Sequence, residues 1–170
     1  MTPEQRNLFA HTRLLSLDCD GVMTDGGLYY AADGTELRRF HVRDGVGIKA
    51  VMSAGIEVAF VTASTTPAIE LRARALGVKH CILGASDKVE ALTKLCDKLG
   101  IGLPHVAHVG DDLNDLPVLE CVGLPITVAD AVPAVLEKVA FITSRSGGQG
   151  AVREICEHML EARSHSLISP

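Results

Sequence analysis

The chain alternates short apolar runs with helix-length segments, and that alternation constrains its fold more than any other feature. Leu14–Leu17, Ile56–Val61, Val78–Leu83, Val106–Val109 and Pro125–Val128 read as strands. The first four lack a clear alternation of apolar and polar residues, as expected of strands buried on both faces. Between them Asp44–Ala54, Pro67–Leu76, Ser86–Leu99 and Leu113–Cys121 read as helices. Gly55, Gly77 and Gly100 stand at or near the ends of the first three, where glycine commonly stops a helix. Asp44, Thr65 or Thr66, and Ser86 are suited to open them. Strands and helices in this order predict an α/β protein built on a doubly wound parallel sheet. Its ligands are expected at the carboxyl edge of the strands.

One segment breaks the rhythm. From Gly26 to Val42 the chain reads GGLYYAADGTELRRFHV, with Asp33-Gly34 between two strand-compatible runs, a strong β-hairpin signal. The segment is too short for a second domain and reads as a flap inserted after the first strand. Leu28, Tyr29, Tyr30 and Phe40 are expected to be exposed on it, packing either on the parent domain or on another subunit. A chain of 170 residues suits one domain over 1–170, with the flap at about 26–42 and a flexible tail at about 164–170.

Composition removes several function classes. The chain is 47% hydrophobic and 22% charged, which excludes a disordered polypeptide. Its formal net charge is -5 and it has no basic run, so no nucleic-acid partner is expected. An acidic chain that handles an anionic substrate needs local cations instead. Cys19, Cys81, Cys96, Cys121 and Cys156 are odd in number and contain no CxxC pair, so neither a disulfide framework nor a thiolate zinc site is expected. No stretch reaches the roughly 18 apolar residues of a membrane span, and the first residues have no apolar leader core. A soluble, cytoplasmic protein with no membrane partner is the expectation.

The candidate chemistry lies at strand ends. Asp18 and Asp20 follow the first strand at positions i and i+2, which an extended chain turns to the same side. Two neighbouring carboxylates repel unless a cation or a proton intervenes. Such a pair suits phosphoryl transfer, with one Asp ionised as nucleophile and the other protonated to serve the leaving oxygen. Surface acids or a helix cap account for many such pairs as well. Thr62-Ala63 ends the second long strand, where a hydroxyl and a backbone N–H could hold phosphate oxygens, although a Thr is also an ordinary strand residue. Lys88 falls on the first turn of a helix, where the dipole slightly disfavours a cation, and a solvated lysine is the commoner case. Asp111 follows the fourth strand and is placed to share a hard cation such as Mg²⁺ with Asp18. Asp112 and Asp115 are either helix caps or support for that site.

The order of these signals is more specific than any one of them. Asp-x-Asp, Thr, Lys and Gly-Asp-Asp, each at a strand end or helix start, resembles the motif series of the haloacid dehalogenase superfamily. The resemblance runs from Leu14 to about Glu154, and Asp20 is similar to the acid of its phosphatase branch. Further stretches narrow it: Asp20 to Gly26, Val42-Arg43-Asp44-Gly45 with Gly47-Ile48, Gly110-Asp111-Asp112-Leu113 with Asp115-Leu116-Pro117, Val128-Ala129-Asp130-Ala131, and Gly147 to Glu154. These resemble the 3-deoxy-D-manno-octulosonate 8-phosphate phosphatase family, a branch without a large cap domain and similar to phosphatases of nine-carbon sialic-type sugar acids. The resemblance implies a Rossmann-like, haloacid dehalogenase-type fold and a sugar-acid phosphate substrate. It also implies a homotetramer whose flap hairpins gather into a central barrel, each site being completed by a neighbour.

By the same resemblance Asp18 forms an aspartyl-phosphate, and Asp20 protonates the sugar oxygen and then acts as base on water. Mg²⁺ is held by Asp18, the Asp20 backbone carbonyl and Asp111. Lys88 neutralises the nucleophile and phosphate, and Thr62 and the Ala63 N–H bind phosphate oxygens. One departure bears on the substrate. The family usually reads Thr-Gly-Arg where this chain has Thr62-Ala63-Ser64, and the missing arginine is a natural partner for a sugar carboxylate. Arg43, Arg72, Arg74 and Arg153 are the candidates to replace it. Two rival classes remain: a receiver module, disfavoured because the third strand run has no Asp until Asp87, and a non-catalytic regulatory domain of the same fold.

Overall fold

The computed structural model describes residues 1–166. In chain order its elements are α1 (Pro3–His11), β1 (Leu14–Leu17), β2 (Tyr29–Tyr30), β3 (Glu36–Leu37), α2 (Val42–Ser53), β4 (Glu57–Val61), α3 (Pro67–Leu76), β5 (His80–Ile82), α4 (Lys88–Leu99), β6 (Val106–Val109), α5 (Leu116–Leu119), β7 (Leu124–Thr127), α6 (Pro133–Leu136), β8 (Phe141–Ile142) and α7 (Ala151–Ser166). Six strands form one parallel sheet in the order β5-β4-β1-β6-β7-β8. β1 is central and has no exposed residue, which is why its sequence shows no polar face.

Side-chain alternation divides the core. Leu15 and Leu17 of β1, Val58 and Phe60 of β4, and Ala107 and Val109 of β6 join the layer beneath α1, α2, α3 and α7. Leu14, Ala59, Val61 and Val106 face the other way, against Leu92, Leu95 and Cys96 of α4. On that second face the register sets Ser16 directly beside His108.

The hairpin expectation holds. β2 and β3 pair antiparallel, Gly34 N donates to Ala31 O across the turn, and Thr24 bridges Phe40 at the base. Leu28, Tyr29 and Tyr30 are exposed as expected, whereas Phe40 is half-buried and packs on the core.

Several boundaries differ from the sequence reading for identifiable reasons. Val78 lies outside β5 because its N–H returns to Ala73 O, closing α3 beyond Gly77. The cap of α4 is Asp87, which accepts from Glu90 N at 2.9 Å, and not Ser86. α2 begins at Val42 with His41 as its cap, so Asp44 sits in the first turn. There it is fully buried and accepts from Arg153 N at 2.8 Å, tying α2 to α7. Leu113–Cys121 is not one helix: a 3-10 turn at Leu113–Asp115, locked by Asp112 and Asp115, precedes the short α5. The reading missed α1, α6, β8 and α7. α7 runs through Ser166, so the first residues of the expected tail are helical, and 167–170 lie outside the described residues.

Candidate active site

A cleft of about 310 Å³ opens at the carboxyl edge of the central strands, lined by Asp18, Asp20, Gly21, Gly26, Thr62, Ala63, Ser64, Asp111, Asp112 and Asn114. Three strand ends supply it. β1 delivers Asp18, β4 delivers Thr62 and β6 leads to Asp111, because β4 and β6 are the two neighbours of β1. Gly21 adopts φ +79 and turns the chain across the cleft, where any larger residue would strike the Asp111 carboxylate.

Lys88 is not a solvated surface lysine. Its ammonium is 2.9 Å from Asp18 Oδ2 and 2.5 Å from Asp115 Oδ1, and its side chain is 3% exposed. Burial alone pushes an ammonium pKa down, but the two carboxylates outweigh it and the net direction is up. Asp115 is completely buried and receives four donors. Asp111 N and Asp112 N reach its Oδ2, while Lys88 and His108 reach its Oδ1. Burial opposes the charge on Asp115, yet the His108 hydrogen bond and Lys88 hold its carboxyl well below the usual range.

Asp18 and Asp111 behave in the opposite way. Burial raises the carboxyl of Asp18, opposed by Lys88 and by the Cys19 N–H that donates to Oδ1 at 2.7 Å. Asp111 is pushed up to about 7, first by burial and then by repulsion from Asp18, Asp115 and Asp112. Carboxylate oxygens of Asp18, Asp111 and Asp115 lie within 4.8 Å of one another. An all-oxygen set carrying this much unbalanced negative charge fits a hard divalent cation, which favours the ionised carboxylates. Both oxygens of Asp115 are already engaged by donors, so Asp18 and Asp111 are the side chains suited to ligate.

Asp20 turns its carboxylate toward the hairpin. Arg38 Nε donates to Asp20 Oδ1 at 2.6 Å, and Arg38 also pairs with Glu36 at 2.9 Å. The Thr62 hydroxyl accepts from Ser64 N at 3.2 Å, and Ala63 is exposed at the cleft. Asp112 caps the 3-10 turn, donated to by Leu113 N at 2.7 Å.

The sequence reading missed Arg38, His108 and Ser16. Ser16 and His108 were visible as polar residues inside apolar strand runs; Arg38 had no such signal, since it is one of several charges on the hairpin. The four arginines proposed to replace the missing one do not line the cleft. Arg74 pairs with Glu70 and Arg153 with Glu157, each on its own helix. Arg72 donates to His41 O and lies over Phe40, and Arg43 is exposed.

Known proteins resemble this chain along most of its length. Residues 83–155 match the family described as haloacid dehalogenase-like hydrolase. The 3-deoxy-D-manno-octulosonate 8-phosphate phosphatase KdsC of Salmonella typhimurium is 43% identical over 163 residues, covering 96% of this chain and 87% of the relative. The crystal structure of the Yersinia pestis phosphatase of the same name superposes with a TM-score of 0.95 at 42% identity, covering 96% of this chain and 89% of that one. The Moraxella catarrhalis phosphatase, solved with magnesium ion, phosphate ion and KDO molecule, gives a TM-score of 0.94 at 38% identity, with 99% and 98% coverage. The Asp18–Lys88–Asp115 constellation thus sits on the fold of enzymes similar in sequence along nearly their whole length, and the chain belongs to the 3-deoxy-D-manno-octulosonate 8-phosphate phosphatase family of haloacid dehalogenase-like hydrolases.

Proposed function

We propose that this protein is a Mg²⁺-dependent phosphatase that hydrolyses 3-deoxy-D-manno-octulosonate 8-phosphate through an aspartyl-phosphate on Asp18. The observation that carries the reading is the buried Lys88 ammonium set against Asp18, which lines a small polar cleft. A carboxylate positioned in this way is a nucleophile held in place, and phosphoryl transfer depends mainly on positioning and charge stabilisation.

In the first half-reaction an Asp18 oxygen bonds to phosphorus while the bond from phosphorus to the sugar oxygen breaks. Asp20 supplies the proton that the sugar oxygen takes. In the second half-reaction Asp20 accepts a proton from water, which attacks phosphorus and returns Asp18 with release of phosphate. The donor role requires a protonated Asp20 turned away from Arg38, so the ion pair with the hairpin is a resting position for that side chain. Thr62 and the Ala63 N–H orient phosphate oxygens, and Lys88 offsets charge on the nucleophile. Asp18, Asp111 and the Asp20 backbone carbonyl are the groups to hold Mg²⁺. Bound there, the ion stabilises charge on the phosphoryl oxygens.

Among the described residues no helix is long and apolar enough to cross a membrane. The activity belongs to the cytoplasm and to lipopolysaccharide biosynthesis. The exposed Leu28, Tyr30 and Leu37 on the hairpin support assembly into a homotetramer through that element. Removing residues 28–40 yields a smaller particle by light scattering, and an unchanged mass rules out the hairpin as the assembly element.

The deciding experiment is kcat/KM on a panel of sugar phosphates, including eight- and nine-carbon 2-keto-3-deoxy acids and simple hexose phosphates, with Asp18→Asn as control. The eight-carbon acid is expected to lead and Asp18→Asn to abolish turnover with the fold intact. Preference for a nine-carbon acid assigns the chain to the sialic-type substrate, in keeping with Ser64 in place of arginine. Full activity in Asp18→Asn refutes the mechanism.

A further inference from the structure

Beneath Lys88 the sheet carries a second polar layer that the proposed mechanism does not use. Ser16 on β1 and His108 on β6 are completely buried register partners on one face of the sheet. Asp18 lies two residues beyond Ser16, so the layer lies directly under the nucleophile. His108 Nδ1 is 2.9 Å from Ser16 Oγ, and Nε2 is 3.5 Å from Asp115 Oδ1. A carboxylate can only accept, so the hydrogen on Nε2 donates to Asp115, while Nδ1 is held by the serine hydroxyl.

Asp115 Oδ1 takes both of its side-chain donors at a single oxygen, His108 and Lys88. The same ammonium is shared with Asp18 at 2.9 Å. Two carboxylates compete for one cation, and the competition is settled by what else each carboxylate accepts. A donor from His108 satisfies part of the Oδ1 charge and weakens the pull of Asp115 on Lys88. Without it, the buried oxygen has Lys88 as its remaining side-chain donor and draws the ammonium toward itself, away from Asp18.

We propose that His108 is a positioning residue for the phosphoryl-transfer step: held by Ser16, it donates to Asp115 and so sets how Lys88 is divided between Asp115 and the nucleophile Asp18. This inference rests on the reading of Asp18 as nucleophile. Residues whose side chains never meet the substrate thereby govern the aim of the group that does.

The test compares His108→Leu, which removes the donor, with His108→Gln, whose amide can restore it from nearly the same place. Turnover of 3-deoxy-D-manno-octulosonate 8-phosphate and of p-nitrophenyl phosphate is measured with Mg²⁺, beside melting temperature. His108→Leu is expected to lose about ten- to hundredfold in kcat with KM changed by less than about threefold, the signature of misplacement and not of lost binding. His108→Gln is expected to recover kcat to within about threefold of the parent. Should the leucine variant fail to fold, Ser16→Ala is read in its place and is expected to lower kcat severalfold at unchanged KM. Unchanged kcat in the folded variant, or equal losses in the leucine and glutamine variants, overturns the proposal. A parent protein that is inactive on both esters, or an Asp18→Asn variant that keeps full turnover, refutes the phosphatase reading itself, so the two failures are distinct.

Discussion

Gly21→Ala tests the cleft at its narrowest point. Gly21 has φ +79, a region that costs an alanine roughly 1–2 kcal/mol. The new Cβ would stand 2.0 Å from Asp111 Oδ2, against 3.4 Å for an ordinary contact, so the carboxylate must retreat by about 1.4 Å. The obstacle is a side chain, so it yields more readily than backbone would, at about 0.5–1.5 kcal/mol of rotamer strain. The combined cost is about 1.5–3.5 kcal/mol, a fall of roughly 3–14 °C in melting temperature for a chain of this size. Displacing a reacting or ligating group by more than about 1 Å costs on the order of a hundredfold in rate. Gly77→Ala is the control. Gly77 has φ +81 and nothing within 4 Å of its added Cβ, so it carries the backbone strain without the collision. Scanning calorimetry and phosphate release at saturating Mg²⁺ should show both variants destabilised and only Gly21→Ala slow. If Gly21→Ala keeps kcat within about threefold of the parent, Asp111 is not where the reaction needs it.

Lys88→Met leaves two buried carboxylates without their shared cation and should cost about 3–5 kcal/mol in urea denaturation with EDTA present; a loss below about 1 kcal/mol contradicts a buried, charged trio. Arg38→Ala releases Asp20 from its resting ion pair and should raise kcat/KM by up to about thirtyfold, the equivalent of a charge-assisted hydrogen bond worth about 2 kcal/mol. A fall in kcat/KM means that the ion pair is a working position of Asp20 and not a resting one. Asp44 supplies a pH test. Burial raises its carboxyl, so folding favours the protonated form, and its contribution is fully present below the unfolded pKa and lost as pH rises through the folded one. The stability of the parent relative to Asp44→Asn should therefore improve as pH is lowered from neutral toward the ordinary carboxylate value of 3.8; a constant or opposite difference in urea midpoints removes Asp44 as the source.

The central sheet was legible in the sequence because strands covered on both faces are mostly apolar, and β1 and β6 were located to the residue. Asp18, Thr62 and Asp111 were legible for the same reason, since each follows such a run. The peripheral pieces were not. α7 carries Glu154, Glu157, Glu161 and Arg163 among its apolar positions, and its 3.6-residue pattern went unread; β8 is two residues long and has no period to detect. Lys88 was visible as a residue but not as a buried one, because only the packing of α4 over Asp115 gives it partners. Asp115 shows the limit of local rules most clearly. Its spacing from Asp112 is that of a capping pair, which it is, yet its carboxylate also joins Lys88 and His108 from other elements.

The central place of β1 also sets an order of assembly. Leu14 pairs with Glu57 on one side and with Val106 on the other, so its two hydrogen-bonded edges are closed by segments that leave the ribosome far apart in time. A nascent chain that ends before Val106 holds Asp18 on a strand with one edge open and has neither Asp111 nor Asp115 beside it. Such an edge is a template for wrong pairing. The strand that leads to the nucleophile is thus the first of the sheet to be synthesised, yet its second edge is closed only when β6 arrives. Premature stops between β4 and β6 are expected to give aggregating products, with no partly active fragments.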